Sequence, residues 1–526
     1  MKNTLLFIIT TLLLSGCGSS QKSVDVLPSK TEMMQPADPT VYGTQITSED
    51  LKEMLYTYAS DEFQGRETGE PGQKMAVEYL KQKYVTMGIP PAQSNGNYLQ
   101  EVPLEKKGFA TASLNINGKT FNNFEDVVCI AGDTKTINIK DVIYAGYGIE
   151  SEKYSDYKDL DVKGKVVLIK FGEPKNEDGT FVTSGRIEPT KWTNGRQALA
   201  SKRNLAEEKG AKALIMMDNA MFNQNSQYIS SALKSGSNGG RLSLKTNEEN
   251  MTQLIITENL GRAIYKDIDT DSTSKKISAD MTISIDSHSE VVTSENVAAF
   301  IKGSEKPDEI IVLSAHLDHL GMKNGEVYNG ADDDGSGTVS VVEIAKAFKK
   351  AADAGHGPKR SILFLHVTGE EKGLLGSRYY TDIDPIEPLA NTMVDLNIDM
   401  IGRVDPEHET NRNYVYLIGS SMLSTDLHNI SEETNNKYSN LILDYKYDDD
   451  NDPNRFYYRS DHYNFAKNNI PVIFYFNGTH ADYHQLTDTP DKIQFDLLQN
   501  RARLVFYTAW ELANRDQKIV VDKPME

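Results

Sequence analysis

The sequence predicts an α/β fold: a mixed, mainly parallel sheet flanked by helices on both faces, interrupted by a β-rich insert. Three observations carry this prediction. From Glu295 onward, apolar strand-like runs alternate with helical periodicity, the pattern of a largely parallel sheet with helices on its faces. From about residue 105 to 290 the texture is instead one of short strands and turns. Five short motifs rich in His, Asp and Glu lie in the C-terminal part, three of them directly after predicted strands, where sites in such sheets form.

The N-terminus reads as a targeting signal. Lys2 is followed by the apolar run Leu5 to Leu14, too short to span a bilayer as a mature helix. The run ends in Leu14-Ser15-Gly16-Cys17, which resembles a bacterial lipobox. That resemblance implies a signal peptide over 1–17, cleavage before Cys17 and lipidation of that cysteine. It makes the membrane a partner through Cys17 and implies a lipid-anchored envelope protein of a Gram-negative bacterium, facing the periplasm or the surface. Residues 18–44, rich in Ser, Lys, Pro and Asp, are expected to be a flexible tether. The only other cysteine, Cys129, sits in Val127-Val128-Cys129-Ile130 and reads as a buried structural thiol.

Residues 45–105 form the first part of the main domain. Ser48-Glu49-Asp50 opens a helix whose apolar positions Leu51, Met54, Leu55 and Tyr58 follow the helical period. Gly69-Glu70-Pro71-Gly72 breaks the chain, and a second helix carries Met75, Ala76, Tyr79, Leu80 and Tyr84 to about Gly88. In the insert, assigned to 106–290, Asp141 to Gly148 is a strand and turn, and Gly164 to Ile169 a buried strand. A helix over Ala198 to Lys209 leads into the strand Ala213 to Met217. Ser235 to Asn250, polar and glycine-rich, reads as a mobile loop. In the domain over 291–520, strands are predicted at Glu309 to Ser314, Ser361 to Val367, Val394 to Ile398 and Pro471 to Tyr475, with a helix from Gly337 to Lys349.

Composition narrows the function classes. The 526 residues hold 38% hydrophobic and 25% charged residues, as a soluble globular protein does. Lys plus Arg is 56 and Asp plus Glu 76, a net charge of −20, which argues against a nucleic-acid partner.

The motifs supply five metal-ligating candidates. His316 lies in Ser-Ala-His-Leu-Asp-His, Asp333 in Gly-Ala-Asp-Asp-Asp-Gly-Ser-Gly, Glu371 in Thr-Gly-Glu-Glu, Asp399 in Asn-Ile-Asp-Met and His484 in Asp-Tyr-His. Two imidazoles and three carboxylates suit a pair of zinc-like ions if one carboxylate bridges. Two divalent ions, three carboxylates and one hydroxide sum to zero charge, and a near-neutral cluster is inexpensive to bury. Asp318, two residues after His316, is placed to accept the other imidazole N–H and fix its tautomer. Glu370 precedes Glu371; one acid of such a pair can ligate while the other takes a proton from metal-bound water.

These residues, with Ser60-Asp61-Glu62-Phe63-Gln64-Gly65-Arg66 near the start, resemble peptidase family M28, the co-catalytic zinc exopeptidases. The strand-rich insert resembles the protease-associated (PA) domain of several secreted peptidases, which shapes substrate access and carries no catalytic residue. The resemblance implies that His316, Asp333 and Asp399 hold one zinc, and Asp333, Glu371 and His484 the other, with Co or Mn as possible substitutes. It makes Glu370 the general base, Asp318 the orienter of His316, Tyr483 an oxyanion stabiliser and Arg459 a substrate-placing residue. It also implies a cis peptide at Asp333-Asp334. The activity implied is that of an aminopeptidase acting on peptide substrates. Carboxypeptidase or dipeptidase activity, glutaminyl-peptide cyclisation and a non-catalytic binding role are the alternatives.

Other features read blandly. His319, His356, His366 and His462 are expected to be satisfied core or surface histidines, and Asp332 and Asp334 to shape the turn around Asp333. Asp448-Asp449-Asp450-Asn451-Asp452 lacks the spacing of a calcium loop, and Gly335-Ser336-Gly337 lacks the ending of a phosphate loop.

Overall fold

Apolar runs that are buried on both faces need helices on both sides, and the C-terminal half supplies them. The computed structural model describes residues 37–235, 237, 239–245 and 251–525. The expected signal peptide and lipidated Cys17 lie outside the described residues. Residues 39–526 form one unit.

The larger sheet has nine strands, in the order Ile442–Asp444, Tyr414–Ile418, Val472–Phe476, Thr392–Ile398, Lys306–His316, Arg360–Val367, Ser289–Ile301, Leu99–Lys107 and Arg241–Leu244. The third to sixth of these run parallel. The three beyond Arg360–Val367 pair antiparallel, so the sheet is mixed with a parallel centre. Side chains alternate across it. Leu363 and Leu365 join Tyr380 and Phe465 in one core, while Phe364 meets Phe348 of the helix Gly337–Asp353 on the other side. That helix packs in turn on the long C-terminal helix Phe495–Asn514 through Phe348 and Phe506, ring centroids 4.9 Å apart.

The insert builds a second sheet of eight strands, Lys119–Phe121, Thr111–Ile116, Lys275–Asp286, Lys135–Tyr144, Val166–Lys170, Ala213–Met217, Thr252–Ile256 and Val127–Ala131. Cys129 is buried there, and burial pushes its thiol up to about 12, the signature of an inert structural cysteine.

Two expectations are corrected. Within the stretch read as a mobile loop, Arg241–Leu244 is a strand that pairs with Leu99–Lys107, so part of the insert returns to the larger sheet. Leu244 is buried among Val102, Leu104 and Leu375; the partner strand supplies hydrogen bonds that the local sequence does not advertise. The tether expected to reach residue 44 ends earlier. Thr40–Gly43 is a helical turn, and Tyr42 stacks on Trp510 with centroids 5.6 Å apart. The Tyr42 hydroxyl is also 2.6 Å from Nδ1 of His356. No helix among the described residues is long and apolar enough to cross a membrane.

Candidate active site

Each metal-ligating candidate projects from the carboxyl end of a central strand or the turn that follows. His316 is the last residue of Lys306–His316 and Asp399 follows Thr392–Ile398. Glu370 and Glu371 follow Arg360–Val367, and His484 lies beyond Val472–Phe476. Asp333 sits in the turn that opens the helix Gly337–Asp353. The peptide Asp333-Asp334 is cis. His484 has φ 58° and Met400, next to Asp399, has φ 61°, left-handed conformations that non-glycine residues adopt mainly where the surroundings enforce them.

The five residues meet. His316 Nε2 is 3.1 Å from Asp333 Oδ1 and 3.7 Å from Asp399 Oδ1. His484 Nε2 is 3.0 Å from Asp333 Oδ2 and 3.4 Å from Glu371 Oε1. Asp333 therefore turns one carboxylate oxygen to each group, the geometry of a bridging ligand. His316 Nε2, Asp333 Oδ2 and Glu371 Oε1 are buried without a hydrogen-bond partner among the described residues. His316 Nε2 faces two carboxylate oxygens, and Asp333 Oδ2 and Glu371 Oε1 face His484 Nε2; such convergent orphaned atoms fit a pair of bound cations. Electrostatics agrees. Burial disfavours the imidazolium, yet Asp399 and Asp333 hold His316 well above its ordinary value. Burial likewise opposes ionisation of Asp333, yet the neighbouring imidazoles hold it well below the carboxylate range. The cluster favours positive charge at its centre.

Glu370 stands at the edge of this cluster. Burial, then the Glu371 and Asp399 carboxylates, raise it well above the usual range, against the pull of His316. It lines a small hollow with Asp333, Asp399, Arg459 and Tyr483. It also borders a cleft of about 780 Å³ whose rim includes Glu67, Lys106, Arg241 and Tyr458. Tyr483 stacks on the His484 ring, centroids 3.9 Å apart, and Arg459 lies over Phe456 at 4.8 Å.

The reading of Asp318 is corrected. Its carboxylate is 3.9 Å from His316 Nδ1, whereas its own backbone carbonyl is 3.0 Å away. Where the chain leaves the strand, the carbonyl reaches the ring first and holds the imidazole. The Asp318 carboxylate instead accepts from the Glu370 backbone N–H at 3.1 Å and from the Thr68 hydroxyl at 2.6 Å.

Several contributors were not legible as site residues. Asp334 accepts from the backbone N–H groups of His316, Gly337 and Met400 at 3.2, 2.9 and 3.1 Å. It thereby joins three segments that present ligands. Asp332 accepts from the Gly402 N–H at 2.7 Å and is 3.1 Å from His480 Nε2. Asp488 accepts from the N–H groups of Asp332 and Asp333. Ser460 donates to Asp399 Oδ2 at 2.7 Å. His319, expected to be a satisfied core histidine, lies inside the cluster, its Nδ1 2.9 Å from Glu371 Oε1. His366 is satisfied by the Tyr84 hydroxyl at 2.7 Å; His462, expected to be satisfied, stacks on Phe474 with neither ring nitrogen hydrogen-bonded among the described residues. Asp448 accepts from the backbone of Gly419 and Ser421, a turn-fixing role.

Comparison with known proteins places this arrangement. Residues 296–509 match Peptidase family M28. A probable leucine aminopeptidase 2 of Aspergillus oryzae (strain ATCC 42149 / RIB 40) is 38% identical over 117 residues, 22% of this chain and 21% of that protein. Aminopeptidase Y of Saccharomyces cerevisiae (strain ATCC 204508 / S288c) is 24% identical over 325 residues, 60% of this chain and 53% of that protein. The chain thus spans about a fifth of the first relative's length and about half of the second's. Among solved structures, an aminopeptidase from Aneurinibacillus sp. strain AM-1 is similar at a TM-score of 0.46 and 18% identity, over 93% of this chain and 99% of that one. Every metal-facing side chain lies within residues 296–509, the stretch that matches Peptidase family M28.

Proposed function

We propose that this protein is a zinc-dependent aminopeptidase that removes N-terminal residues from peptides. The observation that carries the reading is the pairing of two donor groups through Asp333, with the unligated Glu370 beside them at the edge of an open cleft. His316, Asp333 and Asp399 would hold one ion, and Asp333, Glu371 and His484 the other. Zinc bound there would supply Lewis acidity and a water acidic enough to deprotonate near neutral pH. Glu370 takes the proton of the attacking water and returns it to the leaving amine; its raised affinity for a proton suits both halves of that task. The Asp318 carboxylate holds the Glu370 backbone and so aims its side chain. Tyr483 and Arg459, facing the same hollow, supply a donor and a positive charge for the carbonyl oxygen as it gains negative charge. The names of the Aspergillus and Saccharomyces relatives point to a free α-amine on the substrate.

The finer features belong to this proposal. The insert acts as a PA-like wall of the cleft, to which it contributes Arg241. The lipobox-like segment would tether the enzyme through Cys17 to an envelope membrane of a Gram-negative cell. The test of the activity uses Glu370→Gln. Hydrolysis of an unblocked peptide should fall by at least about a thousandfold, within the range general acid–base groups contribute when combined with orientation, while zinc content stays near that of the parent. Full activity in the variant, or cleavage of N-blocked but not C-blocked peptides, would sink the reading.

A further inference from the structure

His319 is fully buried, and both of its ring nitrogens lack a hydrogen-bond partner among the described residues. A histidine in a protein core ordinarily spends at least one nitrogen on a neighbour. Its Nδ1 lies 2.9 Å from Glu371 Oε1 and 3.8 Å from Asp333 Oδ2, with no hydrogen bond to either. Two ligand-type atoms 2.9 Å apart that face each other outside hydrogen-bond geometry fit a shared cation. His319 Nδ1, Asp333 and Glu371 indeed converge as a possible metal-holding group, as do His316, Asp333 and Asp399. Donors about 2.0–2.1 Å from a tetrahedral zinc stand about 3.3 Å apart. The distances around Asp333 Oδ2 and Glu371 Oε1, namely 2.9, 3.0, 3.4 and 3.8 Å, bracket that value.

The ring is held in this place by its surroundings. The His319 backbone N–H donates to the Arg66 carbonyl at 3.2 Å. Gly330, at φ 55°, leaves room for the imidazole; a Cβ there would stand 2.5 Å from the ring carbons. His484 approaches from the other side, its ring centroid 5.9 Å away.

We propose that His319 Nδ1 is a ligand of the ion held by Asp333, Glu371 and His484. That ion then has four protein donors and the other, at His316, Asp333 and Asp399, has three. A neutral imidazole adds no charge, so the balance of the cluster is unchanged. Zinc sites filled by four protein donors are closed, and those with three keep an open position. The two ions are therefore unequal: one is retained, and the other is the accessible one. This inference rests on the two-metal reading above.

The test measures zinc bound per chain across a series of buffered free zinc concentrations, for the parent, His319→Asp and His319→Gln. An aspartate places an oxygen the same number of bonds from Cα as Nδ1 and can ligate zinc. A glutamine can donate a hydrogen bond to Glu371 but is a poor zinc ligand. If His319 ligates, His319→Asp keeps the second zinc, and His319→Gln loses it by more than about a hundredfold in affinity, beyond the 10–100-fold typical of supporting residues. If His319 only positions Glu371, the order reverses, because a carboxylate beside Glu371 repels it; glutamine at or above aspartate overturns the proposal. A parent chain that binds fewer than two zinc ions overturns the two-metal reading itself. Both variants lie in one place and differ little in size, so a folding defect common to both shows in circular dichroism. In that case the cobalt-loaded parent decides by proton NMR: paramagnetically shifted ring protons from three histidines support ligation, and shifted ring protons from only two contradict it.

Discussion

Ser460 shows how much of the site rests on single groups that do not ligate. Its hydroxyl donates to Asp399 Oδ2 and accepts from the Asn397 amide at 2.9 Å. Asp399 is thus aimed by a residue from a separate segment. Ser460→Ala should weaken the zinc shared by His316 and Asp399 by about 10–100-fold with the other zinc unaffected, as read by metal content after dialysis against a chelator. Equal loss at both sites would contradict the assignment. At this scale the sequence was readable where a residue type has one use. His316, Asp333, Glu371, Asp399 and His484 stand in short motifs after strands, and they converge. It was unreadable where the backbone decides. The Asp318 carboxylate and carbonyl are equally available in the sequence, and only the path of the chain after His316 brings the carbonyl to the ring. His319 is one histidine among several, and nothing local separates it from His366, which the Tyr84 hydroxyl satisfies.

At the scale of elements, the tight turn Asp61–Arg66 ties the N-terminal helices to the metal-binding loops. The buried Arg66 side chain donates to the carbonyls of Leu317 at 3.3 Å, Tyr58 at 3.2 Å, Asn329 at 2.7 Å and Gly330 at 2.9 Å. Its guanidinium also lies over the Tyr58 ring at 4.6 Å. Arg66→Met would strip the Tyr58 and Asn329 carbonyls of this donor, at about 1–3 kcal/mol each, while the Leu317 and Gly330 carbonyls keep the Tyr58 hydroxyl and the Gly335 N–H. Thermal unfolding of the variant should begin well below that of the parent, and zinc affinity should drop, because both loops that flank His319 lose their brace. An unchanged melting temperature would refute this role. Helix limits were legible because their punctuation is chemical. Pro71 opens the second helix and Gly88, at φ 67°, closes it. The strand Arg241–Leu244 was hidden in a polar stretch because its partner, Leu99–Lys107, is remote in sequence and only the folded chain brings them together.

For the molecule as a whole, two neutral histidines buried in the core set an acid limit on stability. Burial pushes both His366 and His462 down to about 3, against about 6.5 in an unfolded chain. Between those values the unfolded state binds the proton and the folded state does not. Stability therefore falls as pH drops below about 6.5, by up to about 1.4 kcal/mol per pH unit for each histidine. In the zinc-free chain, His462→Phe, which retains a stack on Phe474, should narrow the loss between pH 7 and pH 5 by about 2 kcal/mol, measured from urea unfolding. An unchanged pH dependence would show that His462 is already protonated in the fold. The architecture as a whole was legible because the parallel central strands announce themselves as continuous apolar runs. The antiparallel flank and the return of the insert to the same sheet were not, since both arise from pairings between remote segments.

The central claim is that one carboxylate joins two metal sites. Zinc content of Asp333→Asn tests it most directly, set beside His316→Ala. About two zinc ions are expected in the parent, one in His316→Ala and close to none in Asp333→Asn. An Asp333→Asn chain that keeps one zinc at the parent's affinity would contradict the claim, because the two sites would then be independent.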